Sequence, residues 1–389
     1  MRSRQALTFI VLLGVVSLFA DMTYEGARGA TGSFLGSLGA SSLAVALIAG
    51  GGELVGYMLR LWSGRLADRT HQYWAITAAG YAINLLAVPL LALAGHWSIA
   101  AVLIVLERAG KALRTPARDA MLSYATASTG RGWGFGLHEA LDQIGATIGP
   151  FVVTTAMVGT ASDYRRGFAV LLVPALLALA TLAAAWRMFP HPQALEPKTV
   201  TVTTTGFSRQ YWVYLAGTCL VAAGFADYPL IAYHFGRAGT LAPAWIPGVY
   251  GLAMGVDAIA ALLFGWAFDR LGLRVLAVST LVGAAFAPLV FATGPGWAIP
   301  GMVFWGIGMG AQESVTRAAI ATIAPSDRRA TAYGLFNLAY GVAWFAGTAV
   351  MGALYSWSTT SVWVFSVTAQ VTAIPVLWIA GLGAHRREQ

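Results

Sequence analysis

Residues Gly64-Arg65-Leu66-Ala67-Asp68-Arg69 form a short charged stretch between two long apolar runs. A related stretch, Gly265-Trp266-Ala267-Phe268-Asp269-Arg270, lies in the second half of the chain, again after the second apolar run of its half. A motif repeated at the same place in two halves indicates that one unit is present twice. We expect both stretches to be turns that join membrane-length segments.

The composition is that of a membrane protein. Of 389 residues, 58% are hydrophobic and only 10% are charged, whereas soluble domains carry roughly 25% charged residues. No soluble core could bury that much apolar surface, so lipid must surround most of the chain. The single cysteine, Cys219, excludes a disulfide framework and a cysteine-based metal site, and we expect no cofactor.

The basic residues indicate orientation in the membrane rather than binding to nucleic acid. The formal net charge is +8, and most arginines and lysines outside the apolar runs fall at alternate helix ends. This positive-inside pattern predicts a bacterial-type cytoplasmic membrane protein with both termini in the cytoplasm. The first apolar run continues past Asp21 and Glu25 to about Gly36 without a convincing cleavage site, so we interpret it as a retained helix.

A helix needs about 20 residues to cross the hydrocarbon layer, and by that measure the chain contains twelve spans. The predicted spans are 6–36, 42–64, 72–94, 97–120, 131–158, 166–188, 209–236, 244–268, 273–293, 297–322, 330–355 and 360–383. The polar, proline-broken stretch after the sixth span predicts a cytoplasmic linker. We therefore predict an N-terminal six-helix bundle over 1–189, a linker over 190–208 and a C-terminal six-helix bundle over 209–389.

The repeated stretch resembles the signature of the major facilitator superfamily, G-x-L-A-D-R-x-G-R-K, which joins the second and third helices of that family. The matching residues are Gly64, Leu66, Ala67, Asp68 and Arg69, and residues 71–73 depart from the signature. The resemblance covers essentially the whole chain. It implies an all-α integral membrane fold of two pseudo-symmetric six-helix bundles that rock about a central cavity. In such transporters the binding site lies between the repeats.

The same resemblance implies a role for the charged repeats. In the family, these residues bond across to neighbouring helix ends and hold the cytoplasmic side closed. The gating residues implied here are Gly64, Asp68, Arg69, Arg118, Asp119, Asp269, Arg270 and Arg317. The alternative is a solvated loop whose charges only set the topology.

Ionisable side chains at bilayer depth are functional candidates, because each costs about 2.5–3.5 kcal/mol on insertion. In the first span, Asp21, Glu25 and Arg28 are four and three residues apart and so lie on one helical face. Glu25 and Arg28 are spaced to pair, which leaves Asp21 the less compensated carboxylate, able to load and release a proton. The alternative is a static salt-bridge ladder that holds this helix against its neighbours.

The second and fifth spans add three further candidates for proton coupling. Glu53 stands mid-span among glycines, with Arg28 or the fourth-span bases as its expected partners. In the fifth span, His138 and Asp142 are one turn apart, an arrangement that can relay protons. The following Gly145-Ala146-Thr147-Ile148-Gly149-Pro150 resembles the G-x-x-x-G-P signature of the antiporter branch and predicts tight helix packing.

The fourth span carries a stripe of charge formed by Glu107, Lys111, Arg114 and Arg118, with Arg108 beside it. We expect Arg114 and Arg118 to extend toward the membrane interface. Arg108 and Lys111 lie deeper and suit an anionic substrate. The alternative is that acidic residues of the fourth and fifth spans neutralise them.

The second half is poorer in charge. Its candidate substrate contacts are Asp257, Trp305, Glu313 and Asn337, to which the first half adds Arg28, Arg108, Lys111, Tyr24 and Tyr57. For each aromatic residue, core packing is the alternative. Aromatic residues nearer the span ends, such as Tyr250, are expected in interfacial belts.

Together these features predict a secondary transporter that acts as a monomer in the lipid bilayer. The favoured hypothesis is proton-coupled export of a small amphiphilic molecule, with Asp21 or Glu25 as the proton site. The alternative hypothesis is import or exchange of organic anions on the fourth-span bases. An enzyme is not expected, because the sequence has no histidine-rich helix and no G-x-S-x-G motif.

Overall fold

The computed structural model describes residues 2–129, 131–160, 162–191, 207–272, 274–291, 294–323 and 329–385. The α-helices in these ranges are α1 (Arg2–Ser37), α2 (Ser42–Thr70), α3 (Tyr73–Leu90), α4 (Trp97–Thr129), α5 (Arg131–Met157), α6 (Tyr164–Ala169), α7 (Leu172–Met188), α8 (Arg209–Gly224), α9 (Tyr228–Ala238), α10 (Ile246–Leu271), α11 (Arg274–Gly283), α12 (Phe286–Val290), α13 (Ala298–Ile323), α14 (Arg329–Tyr355) and α15 (Thr359–His385). These helices lie along all twelve predicted spans, and eight helical segments of the described chain are long and apolar enough to cross a membrane. The all-α integral membrane fold is confirmed.

The sixth, seventh and ninth spans are broken, contrary to the prediction of continuous helices. The breaks lie between α6 and α7, α8 and α9, and α11 and α12. Each break precedes a proline, namely Pro174, Pro229 or Pro288. Proline has no N–H to donate to the carbonyl four residues earlier, and its ring clashes there. As a result Asp227 stands at the N-cap of α9 in an extended conformation.

The charged repeats are helical, so the prediction that they form turns is wrong. Gly64 to Arg69 are the last turns of α2, and the second copy occupies the same place in α10. The chain leaves the two helices after the charged repeats, at His71 and Gly272, which have positive φ angles of 55° and 64°. Both residues donate their backbone N–H to the carbonyl four residues earlier, at 2.9 and 2.8 Å.

The chain divides into two compact units. The first unit consists of Met1–Gly39, Val55–Val200 and Ala242–Gly251, and the second of Ala40–Leu54, Thr201–Leu241 and Leu252–Gln389. Each unit therefore contains a short segment from the other half of the sequence. The domain boundaries drawn at 189 and 209 stay a prediction.

Glycines hold the helices of the first unit at short distance. A Cβ added at Gly145 or Gly149 would collide with the α1 backbone at Leu18 or Met22. The glycines of the fifth span therefore pack α5 directly on α1, as their spacing predicted. A Cβ at Gly80 would meet the backbone of Arg114 at 2.6 Å, which places α3 equally close to α4.

In the second unit, an aromatic and aliphatic core joins α8 to its neighbours. Tyr211 and Tyr214 of α8 are fully buried. Their hydroxyl groups donate to the carbonyls of Ala332, at 2.8 Å, and Thr316, at 3.2 Å. These bonds satisfy polar groups that lipid and core cannot solvate.

Candidate functional site

A column of polar side chains runs along one face of α1 inside the first unit. Ser17, Asp21 and Glu25 follow one another at successive helical turns and are 1%, 5% and 8% exposed. The close approach of α5 to α1 leaves this face no lipid contact. Asp21 and Glu25 therefore face protein.

Helix α5 places His138 and Asp142 against the inner part of this column. Asp142 acts electrostatically on Asp21 of α1, and Asp142 Oδ2 lies 3.5 Å from His138 Nδ1. The other ring nitrogen of His138, Nε2, is 2.9 Å from the Ser17 hydroxyl. Like charges that act on each other away from water disfavour ionisation of both carboxyl groups at once.

Glu25 occupies the next turn and contacts two other helices. Its Oε1 lies 3.8 Å from Lys111 Nζ on α4, and its Oε2 accepts a hydrogen bond of 2.6 Å from the Tyr250 hydroxyl on α10. Arg28 and Arg108 also act electrostatically on Glu25, so the predicted partner Arg28 is one of several cations. Lys111 Nζ stands 3.9 Å above the ring of Tyr24, a cation–π contact.

Arg114 lies inside the unit, so the expectation that it reaches the membrane interface is wrong. Its residue surface is 1% exposed, and its guanidinium carbon lies 4.2 Å from the Tyr81 ring centre and 5.7 Å from that of Tyr24. The two rings replace water as the surroundings of the cation. Lys111 acts more strongly than Arg114 on Asp21, and Arg118 acts more strongly than Arg114 on Asp142, but Arg114 acts on both carboxyl groups.

Glu107 and Arg108 form a second buried group on α4. Glu107 Oε2 lies 3.2 Å from Arg108 Nε, and its Oε1 accepts a hydrogen bond of 2.8 Å from Asn84 on α3. Glu107 therefore neutralises part of the basic stripe. Lys111, whose side chain is 22% exposed, is more accessible than Arg108, at 10%.

The residues assigned to a gate lie in different surroundings. Arg118 bonds its neighbour Asp119 at 2.8 Å and donates to Ser17 at 3.1 Å, so it extends inward to the polar column and not toward the membrane interface. Arg69 and Arg270 are exposed, and the Arg270 guanidinium lies 3.6 Å from the Trp266 ring centre. Gly64 lies inside α2 with ordinary packing. The side chains of Asp68, Asp269 and Arg317 are outside the described residues.

The candidate contacts of the second unit differ widely in exposure. Asp257 is 2% exposed and Trp305 1%, and the Trp305 indole N–H donates to the Ala226 carbonyl in the break before α9, at 3.0 Å. Asn337 on α14 is exposed, and Glu53 and Glu313 are half-buried. Tyr57, in the first unit, is half-buried beneath Arg60, whose guanidinium carbon lies 5.3 Å from its ring centre. Buried His234 bonds the Tyr355 hydroxyl at 2.9 Å.

Comparison with known proteins relates this architecture to transporters. The family model described as Major Facilitator Superfamily matches residues 226–388. An uncharacterized MFS-type transporter of Methanocaldococcus jannaschii is 23% identical over 382 residues, covering 95% of this chain and 94% of that protein. The chain belongs to the major facilitator superfamily. An uncharacterized protein of Mycobacterium tuberculosis is 39% identical over 376 residues, covering 95% of this chain and 92% of that protein.

Solved transporters of the superfamily share the fold. The nucleoside transporter NupG superposes with a TM-score of 0.79 at 12% identity, covering 96% of this chain and 99% of that one. A peptide transporter, POT, superposes with a TM-score of 0.74 at 18% identity, covering 97% of this chain and 94% of that one. This major facilitator chain is therefore a multi-pass membrane protein with the fold of these two transporters.

Three residues in or beside the polar column were not among the predicted site residues. Ser17 stands one turn before Asp21, so the four-residue spacing along the first span could have identified it. Arg114 belonged to the charged stripe, but its burial depends on tyrosines of two other helices. Tyr250 is only 2% exposed and not part of an interfacial belt, and no local pattern indicates its contact with Glu25, 225 residues away.

Proposed function

We propose that this transporter exports small amphiphilic organic molecules in exchange for protons. The observation that carries the proposal is that half-buried Asp142 stands beside the polar column and acts electrostatically on buried Asp21. A carboxyl pair that holds one proton can release it and take it up again when its surroundings change, which is the chemistry that proton coupling requires. His138 and Ser17 extend the pair toward Arg118 and provide a relay.

In this proposal, Glu25 and Glu53 assist the proton step. The substrate contacts are Arg28, Arg108, Lys111, Tyr24 and Tyr57 from the first half, with Asp257, Trp305, Glu313 and Asn337 from the second. The charged ends of α2 and α10 act as the cytoplasmic gate, with both termini in the cytoplasm of a bacterial-type inner membrane. Bundle boundaries at 189 and 209 and a monomeric state complete the proposal.

The test is transport by purified protein in liposomes with an imposed pH gradient. Ethidium serves as a cationic amphiphilic probe, and its efflux should follow the gradient in the wild type. Asp21→Asn keeps a hydrogen-bonding side chain but cannot ionise, so efflux should lose its dependence on the gradient. Efflux of equal rate with and without the gradient in the wild type would refute proton coupling.

A second candidate function is transport of organic anions, and the geometry of Lys111 favours it. Its ammonium is partly exposed and lies 3.8 Å from Glu25, which is longer than the 2.7–2.9 Å of a tight charge-assisted hydrogen bond. A substrate carboxylate could therefore displace Glu25 from Lys111. Benzoate uptake that is lost in Lys111→Gln, together with no movement of ethidium, would support this function over export of amphiphiles.

A further inference from the structure

A ten-residue segment of the second half of the sequence is built into the first unit. This segment, Ala242–Gly251, includes the short 3-10 turn Pro243–Trp245 and the first turns of α10. A Cβ added at Gly248 would lie 3.0 Å from the Thr154 hydroxyl, and one at Gly251 would lie 3.0 Å from the Thr147 carbonyl. The segment thus lies directly on α5.

The same segment approaches α1 at Glu25. A Cβ added at Gly29 would lie 3.1 Å from the Cα of Pro247, and the Tyr250 hydroxyl donates to Glu25 Oε2 at 2.6 Å. Tyr250 is 2% exposed, so water does not compete for this bond. A hydrogen bond to a carboxylate is roughly twice as strong as one to a neutral acceptor.

The charge of Glu25 therefore controls how firmly the segment is held. The groups that face Glu25 are Lys111 and Arg108 from α4, Tyr250 from α10, and Arg28 and Asp21 from its own helix. Helix α5 presents Asp142, which acts electrostatically on Asp21, one helical turn before Glu25 on α1. Most of these neighbours are cations that support the carboxylate, and a proton on Glu25 removes the charge that both Lys111 and Tyr250 recognise.

We propose that Tyr250 is a positioning residue that ties the first turns of α10 to α1 while Glu25 is ionised and releases them when Glu25 takes up a proton. The inference rests on the proposed proton coupling and assigns to it a specific conformational consequence. The proton is taken from water by the Glu25 carboxylate, and no covalent bond other than the O–H bond forms. The tyrosine hydroxyl keeps its own proton throughout.

The experiment measures the separation of the segment from α5 in the full-length protein in lipid nanodiscs. Cys219, the single cysteine, is replaced by serine. Spin labels are then placed at Trp245 and Val158, which are 57% and 48% exposed. Distance distributions from double electron–electron resonance are compared at pH 8 and pH 4.

The parent protein should give one short distance at pH 8 and gain a longer one at pH 4. Tyr250→Phe removes only the hydroxyl, so the longer distance should be present at both pH values, with a roughly tenfold change in the population ratio at pH 8. Glu25→Gln, which mimics the protonated acid, should give the same distance distribution as Tyr250→Phe. The variant that carries both substitutions should give that distribution too, with no further increase in the longer distance. Tyr211→Phe removes a buried hydroxyl of the second unit and should match the parent.

Two outcomes would overturn the inference. One is a Tyr250→Phe distribution equal to that of the parent at both pH values, and the other is a Glu25→Gln distribution that still responds to pH as the parent does. If Tyr250→Phe fails to fold, Glu25→Gln alone decides, because it leaves the tyrosine in place. Loss of gradient-driven efflux in Asp21→Asn with unaltered distances in both variants would leave proton coupling standing and refute only the role of Tyr250.

Discussion

His71 and Gly272 stand at equivalent positions of the two sequence repeats and adopt the same left-handed backbone conformation, with φ angles of 55° and 64°. Each ends a long helix directly after a charged repeat. One position uses glycine, which takes this conformation without strain, and the other uses histidine, for which it costs roughly 1–2 kcal/mol. The two helix ends are therefore alike in geometry but not in stability.

Substitution at these two positions should have opposite effects. Gly272→Ala should lower the free energy of unfolding by about 1 kcal/mol, because alanine must take the strained conformation. His71→Gly should raise it by roughly 0.5 kcal/mol, because relief of strain exceeds the entropy cost of glycine. Thermal unfolding of both variants in one detergent measures the difference, and equal shifts of the same sign would contradict this account.

Gly145→Ala should destabilise the first unit strongly. A Cβ at this position collides with the α1 backbone at Leu18, and backbone cannot move aside as a side chain can. Overpacking of this kind typically costs 1–3 kcal/mol. Gly265→Ala is the matched control, because it is also helical and nothing lies within 4 Å of its added Cβ. The control should unfold at the wild-type temperature or above it.

Arg114→Lys should destabilise the protein although it keeps the charge. Lysine loses the planar stacking on Tyr81 and presents a strongly hydrated ammonium in a buried site. We expect a loss of about 1–2 kcal/mol, measured by thermal unfolding. Arg65→Lys, at an exposed position, should have no effect, and similar unfolding temperatures for the two variants would show that stacking is unimportant.

Asp142→Asn should change the number of protons exchanged when a ligand binds. In the proposed mechanism Asp21 and Asp142 hold one proton between them, so ethidium binding should release or take up a fraction of a proton. Titration calorimetry in buffers of different ionisation enthalpy measures that fraction, which should fall to near zero in Asp142→Asn. Glu139→Gln alters an exposed carboxyl group of the same helix and should keep the wild-type value.

Trp305→Phe separates a structural role from a substrate contact. The indole N–H holds the carbonyl of Ala226, and leaving that acceptor without its bond should cost about 1 kcal/mol. If Trp305 only stabilises the backbone at the break before α9, the free energy of unfolding falls and the affinity for ethidium stays at the wild-type value. A weaker affinity at unchanged stability would instead support the predicted substrate contact.

The fold could be predicted from sequence because membrane solvation imposes strong local rules. Long apolar runs, few charges and a repeated motif gave the helical class, the spans and the superfamily. The helix breaks before Pro174, Pro229 and Pro288 could have been anticipated from the missing N–H. Other prolines, such as Pro116 within α4, leave a helix continuous. The presence of a proline therefore does not by itself predict where a helix breaks.

Sequence spacing predicted only which candidate site residues share a face of the same helix. Spacing along α1 placed Asp21 and Glu25 on one face, and spacing along α5 placed His138 beside Asp142. Contacts between helices were not accessible in this way. The electrostatic interaction of Asp21 with Asp142, the burial of Arg114 between tyrosines and the bond from Tyr250 to Glu25 all depend on how glycines bring separate helices together.

The exchanged segments also have a consequence for biogenesis. Ser42 in the early segment of the second unit bonds the Gly352 carbonyl at 2.9 Å, and the first unit needs Tyr250 for its bond to Glu25. During translation the first unit must therefore wait until residue 251 has left the ribosome, while the early segment waits far longer for α14. Genes split at the linker should yield stable protein only when both fragments are co-expressed.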